Sequence, residues 1–127
     1  MFEQDYVMRL IKETIRAILK LLFRIDTESP TTELLQDAED KCMLEELLDM
    51  VDEGRINEAE NRIYEITENG NLSYLEVGLL FYSYVNDKED AFLEVYNFSR
   101  TEVKQGVKEL ASRYGLGGMA EMFLIDL

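Results

Sequence analysis

The chain has no histidine and no tryptophan, and only one cysteine and one proline in 127 residues. Without histidine there is no Ser-His-Asp or Cys-His nucleophile pair, no imidazole metal ligand and no ordinary switch near neutral pH. One cysteine, Cys42, permits neither an internal disulfide nor a Cys-rich zinc site, and suits a reducing compartment. Lys41, Met43, Glu45 and Glu46 surround it. Nearby acids disfavour a thiolate, so Cys42 is expected to be a small buried hydrophobe on a helix rather than a reactive thiol. No uninterrupted apolar run reaches 18 residues, so no membrane-spanning helix is expected. The start, Met1-Phe2-Glu3-Gln4-Asp5, lacks a basic leader, and a cytoplasmic protein is the expectation.

Bases are also scarce. There are 13 against 27 acids, a net charge of −14. A field of that sign repels phosphate, which argues against direct nucleic-acid binding and favours basic partners. What remains is a globular composition, with 46% hydrophobic residues. The length fits a single domain, residues 1–127.

The charge is unevenly spread. Residues 1–25 hold Arg9, Lys12, Arg16, Lys20 and Arg24 against three acids, a net of +2, and the rest carries −16. At 100° per residue the five bases form a stripe about 120° wide. Val7, Ile11, Ile15, Ile18, Leu19 and Leu22 lie on the other side. This is a cationic amphipathic helix. It either packs on the core, as a cap or a homodimer seam, or docks on a membrane surface or in a partner's groove.

Further helices are marked by local chemistry. Ser29 is placed to cap a helix with Pro30 at its first position. That second helix is expected over Thr32–Glu53, with a break near Asp40, ending at Gly54 in a left-handed cap. Asn57 with Glu60 predicts a capping box for a third helix that ends at Asn69-Gly70. Ser73 with Glu76 predicts another, opening a fourth from Tyr74 to Val85, stopped by Asn86-Asp87. A short fifth spans Glu89–Asn97. Ser99 with Glu102 opens a sixth that ends at Gly115. Gly117-Gly118 precedes a final apolar turn, Met119–Leu127, within a C-terminal stretch of 115–127. No strand alternation occurs, so the class is all-α, built of antiparallel helical hairpins with short loops.

Residues 57–64 align with 89–96 at an offset of 32, pairing Ala59 with Ala91, Ile63 with Val95 and Tyr64 with Tyr96. Tyr74, Val77, Gly78 and Phe81 follow the aromatic-aliphatic-small-aromatic spacing of a tetratricopeptide first helix. In the first copy Glu46 stands where Gly78 stands. Residues 40–114 therefore resemble a degenerate tetratricopeptide array of about two hairpins. The whole chain is also similar to an uncharacterised family of small, acidic, helical bacterial proteins. Asp5-Tyr6-Val7-Met8-Arg9-Leu10-Ile11 and Gly54-Arg55-Ile56-Asn57-Glu58-Ala59-Glu60-Asn61 carry that resemblance. It implies a helical, tetratricopeptide-like protein of the bacterial cytoplasm and assigns no catalytic residue.

Four constellations bear on chemistry. Over 65–76, Asn69, Gly70, Leu72, Ser73 and Glu76 match positions of an EF-hand loop, but Glu65 and Thr67 stand where anionic ligands belong. Helix capping accounts for the same residues. The acids Asp37, Glu39, Asp40, Glu45, Glu46, Asp49, Asp52 and Glu53 read as a solvated helix face. Tyr64, Tyr74, Tyr82, Tyr84, Tyr96 and Tyr114, with Phe81, Phe92 and Phe98, read as core before ligand groove. Gly115, Gly117 and Gly118 follow no strand, so no phosphate loop is expected.

No catalytic, cofactor or metal residue is expected. The expected function is a non-enzymatic protein–protein interaction module whose groove takes a partner segment. The alternatives are a peripheral membrane protein docking through residues 1–25 and, last, a metal-dependent enzyme.

Overall fold

The structure, a computed structural model, describes residues 2–27 and 30–123. Seven helices occur there: α1 (Phe2–Phe23), α2 (Ala38–Asp52), α3 (Ile56–Ile66), α4 (Leu72–Asn86), α5 (Asp90–Val95), α6 (Arg100–Arg113) and α7 (Gly117–Phe123). A single 3-10 turn, Thr32–Leu34, precedes α2. The described residues contain no strand. None of these helices is long and apolar enough to cross a membrane.

The core is built around α4. Leu75, Val77, Leu79, Leu80, Phe81, Tyr82 and Val85 are all buried. A helix that is apolar on every side must be covered on every side, and α1, α2 and α6 pack against it. From α1 come Ile11, Ile15, Ile18 and Leu19; from α6 come Val103, Val107, Leu110 and Ala111. The one buried polar residue of that α1 face, Thr14, is satisfied by donating to the Leu10 carbonyl at 2.8 Å. Two glycines set the approach of α4 to α6. A methyl on Gly78 would lie 2.7 Å from a Leu110 methyl, and one on Gly106 would enter the Tyr82 ring.

The apolar face of α1 is thus used inside the chain, against α4, α6 and α7. Arg9, Lys12, Lys20 and Arg24 stay exposed on its other side. Asp26 binds Arg16 at 3.1 Å and Lys20 at 3.7 Å just beyond the helix.

Several predicted helix ends occur as expected. Glu53 is followed by Gly54 at φ +86. The Gly54 amide donates to Val51 and the Arg55 amide to Met50, closing a Schellman motif. Gly115, at φ +77, closes α6 in the same way through Ser112 and Ala111. Ser99 and Glu102 form the full capping box of α6.

Other ends differ. The second helix is not continuous from Thr32. Leu35 leaves the 3-10 turn in extended conformation and is buried, and Asp37 accepts from the amides of Glu39 and Asp40 to start α2 afresh. The break therefore lies before Asp40. Pro30 is not helical, and the predicted cap Ser29 lies outside the described residues. Asn57 caps nothing: α3 begins at Ile56, whose burial fixes the entry, and no side chain caps it. Glu60 is drawn away to Tyr82. In α4 the cap is Asn71, not Ser73, because the Asn71 carboxamide reaches the Ser73 amide at 3.0 Å. Gly117 and Gly118 lie inside α7, not before it, and residues 124–127 of the predicted last turn fall outside the described residues.

The residues that carried the internal repeat do not share environments. Ala59 and Ile63 are buried, whereas Ala91 and Val95 are exposed. Packing also does not simply follow chain order, since the first helix lies against the fourth, sixth and seventh.

Candidate functional site

A groove of about 560 Å³ opens where α1 ends, near the first turns of α2 and α4. Its apolar lining comes from Phe23, Ile25, Leu34 and Leu35. Four carboxylates also line it, Glu33, Asp37, Asp40 and Glu76. The local fold explains the placement. The chain leaves α1 at Phe23, turns back through the 3-10 segment, and is restarted by the Asp37 cap, which sets Asp40 in the first turn of α2. Asn71 does the same for α4 and sets Glu76 one turn in.

The four acids are not equivalent. Asp37 is engaged with the two amides it caps, and Glu33 has Lys41 at 3.5 Å. Neither Asp40 nor Glu76 has an ion-pair partner among the described residues. Burial, with the charge of Asp40 added, holds the Glu76 carboxyl above its ordinary pKa. An apolar floor under unpaired carboxylates attracts a ligand that is both apolar and cationic.

A second polar cluster sits between α3, α4 and α6. The Tyr82 hydroxyl donates to Glu60 Oε2 at 2.7 Å, and that of Tyr64 donates to Glu109 Oε2 at 2.6 Å. Burial, then the charge of Glu60, pushes the Tyr82 phenol far above its usual range. Burial also raises the Glu60 carboxyl, against the Tyr82 hydrogen bond and with Glu102 and Glu109 nearby. Tyr82 is therefore held protonated, as a hydrogen-bond donor that links helices.

Buried Arg100 forms a third feature. Its Nη1 donates to the Asn86 carbonyl, and its Nη2 donates to the Lys88 carbonyl at 2.9 Å and to Asp90 Oδ1 at 2.6 Å. Asn86 in turn donates to the Met8 carbonyl at 3.0 Å. The network fastens the α4–α5 turn to α6 and α1. Arg100 also borders a cavity of about 290 Å³, but its Nε is enclosed and has no partner.

The other residues singled out in the sequence do not converge. Cys42, expected to be buried, is exposed on α2. Phe81, Tyr82 and Phe98 are core residues. Tyr84 donates to Asp52 and Tyr114 to the Asn71 carbonyl, both at 2.7 Å, at separate places on the surface. Over 65–76, the Asn71 carboxamide is taken up by Ser73, and Glu76 lies in the groove. Among the described residues no cluster of three or more acids or thiols is arranged to hold a metal ion. No sequence motif marks the groove. Glu76 read as a capping residue and Asp37 and Asp40 as solvated acids. Leu34 and Leu35, expected on the inner face of a helix from Thr32, instead line the groove from a 3-10 turn and the extended residue after it, together with Ile25.

Comparison with known proteins adds one finding. No curated protein and no solved structure matches the chain. A family profile matches residues 1–115, nearly the full length, and the chain belongs to that family, DUF6483, a family of unknown function.

Proposed function

We propose that this chain is a non-enzymatic protein–protein interaction module with a tetratricopeptide-like helical core, and that a partner segment docks in the groove at the end of α1. The observation that carries the reading is the groove itself, with an apolar lining and unpaired Asp40 and Glu76. The Tyr74, Val77, Gly78 and Phe81 spacing, with Gly78 letting Leu110 close on α4, supports the tetratricopeptide-like part. In this reading α1 caps the core of its own chain, and the protein works in the bacterial cytoplasm, where an exposed Cys42 stays reduced.

The test is site-specific photo-crosslinking in cells. Benzoylphenylalanine replaces Leu34 in the groove or, as a control, exposed Glu45 on α2. A discrete protein adduct from position 34 that is missing from position 45 supports the module. Adducts equal at both positions, or absent at 34, overturn it.

A further inference from the structure

We propose that the groove takes a segment of another protein that carries a lysine or arginine beside an apolar side chain, the cation seated between Asp40 and Glu76 and the apolar group on Phe23, Ile25 and Leu34. This rests on the interaction-module reading and names the chemistry of its partner. Two carboxylates from different helices line one groove with no ion-pair partner among the described residues, while the other two are already engaged by the α2 cap and by Lys41. The dipole of α2 accounts for Asp40, which sits in the first turn. It does not account for Glu76, since Asn71 caps α4. Folding alone gains nothing from a partly buried Glu76 beside Asp40. A neutral segment would strip water from both carboxylates with no compensating bond. An arginine or lysine supplies charge-assisted donors to both. Of the chain's own bases beside the groove in sequence, Lys41 is held by Glu33 and Arg24 is exposed, and a net charge of −14 makes two copies repel, which favours a basic segment of a different protein over a second copy.

Random 12-residue peptides displayed on phage, panned on the full chain, test the idea. The enriched peptides are expected to carry Lys or Arg within two places of Leu, Ile, Met or Phe. Asp40→Asn with Glu76→Gln should weaken the best synthetic peptide about tenfold, the loss of one charged hydrogen bond. The free double variant should melt at the same temperature or about 1–2 °C higher, because a like-charge contact is gone. Glu45→Gln with Asp49→Asn changes net charge equally on the exposed face of α2 and should leave affinity within about twofold. Peptides without a basic residue overturn the inference. So does unchanged affinity in the groove variant, or an equal loss in the control. If the adduct from position 34 is the chain itself, the occupant is a second copy and the inference also falls. In each of these cases a position-34 adduct still leaves the module standing, whereas its absence removes the module.

Discussion

Gly106→Ala adds one methyl in the middle of α6, where it faces Tyr82 of α4. Built on the backbone, that carbon collides with Tyr82 Cε1 and lies 2.5 Å from Cζ and Oη. Tyr82 is fully buried and edge-on to Phe81, with ring centroids 5.1 Å apart, so the ring has little room to retreat. Overpacking of a rigid core costs about 1–3 kcal/mol, and this site belongs near the top of that range. Moving the ring also strains its bond to the partly buried Glu60, worth about 1.5–3 kcal/mol when fully lost. Alanine returns about 1 kcal/mol of helix propensity. The net expectation is a loss of about 2–4 kcal/mol, a melting temperature lower by roughly 6–16 °C for a chain of this size. Thermal and urea unfolding followed by circular dichroism at 222 nm would measure it. In a Tyr82→Leu background the same substitution should cost less than about 1 kcal/mol, because the colliding atoms are gone. A Gly106→Ala protein as stable as the parent would refute the claim that this glycine sets the α4–α6 distance.

Arg100→Met should destabilise by about 3 kcal/mol, since it orphans the Asn86 and Lys88 carbonyls, and hydrogen exchange should rise first in α5. Asn71→Ala should cost about 1 kcal/mol and Ser73→Ala much less, which a melting comparison would show; the reverse order would restore Ser73 as the cap. Stability should rise as pH falls from 7 to about 5, because Glu60 and Glu76 have raised folded pKa values and bind protons more readily folded than unfolded. Below about pH 4 it should fall, as Asp52, held low by hydrogen bonds from Lys88 and Tyr84 against its burial, is protonated; a melting temperature that drops steadily from pH 7 would contradict this. Flotation with anionic liposomes at low salt should leave the chain unbound, because the apolar face of α1 is engaged in the core; floating that depends on Lys12 and Lys20 would revive the membrane reading.

The difference between what the residues announced and what they hid follows from range. Gly54, Gly115 and the Ser99–Glu102 box were legible because each helix end is decided by backbone conformation and neighbours within a few places. The same motif misled at Asn57 and Ser73. There a competing contact decided the outcome: burial of Ile56 in one case, the reach of Asn71 in the other. The all-helical class and the buried arc of α1 came from periodicity, which survives without knowing any partner helix. The groove has no period. Ile25 and Leu35 belong to irregular chain and Leu34 to a short 3-10 turn, and Asp40 meets Glu76 only after α2 and α4 have packed.

The position of α1 against α4, α6 and α7 bears on the order of synthesis. The helix is made before α4, α6 and α7, with Ile11, Ile15, Ile18 and Leu19 on one side and these covering helices still to come. Its covering helices are complete only about 100 residues later, roughly 5–20 s at ordinary translation rates. During that interval its exposed aliphatic face is a site for chaperones or for misassociation between nascent chains, and the core cannot close until α6 has emerged.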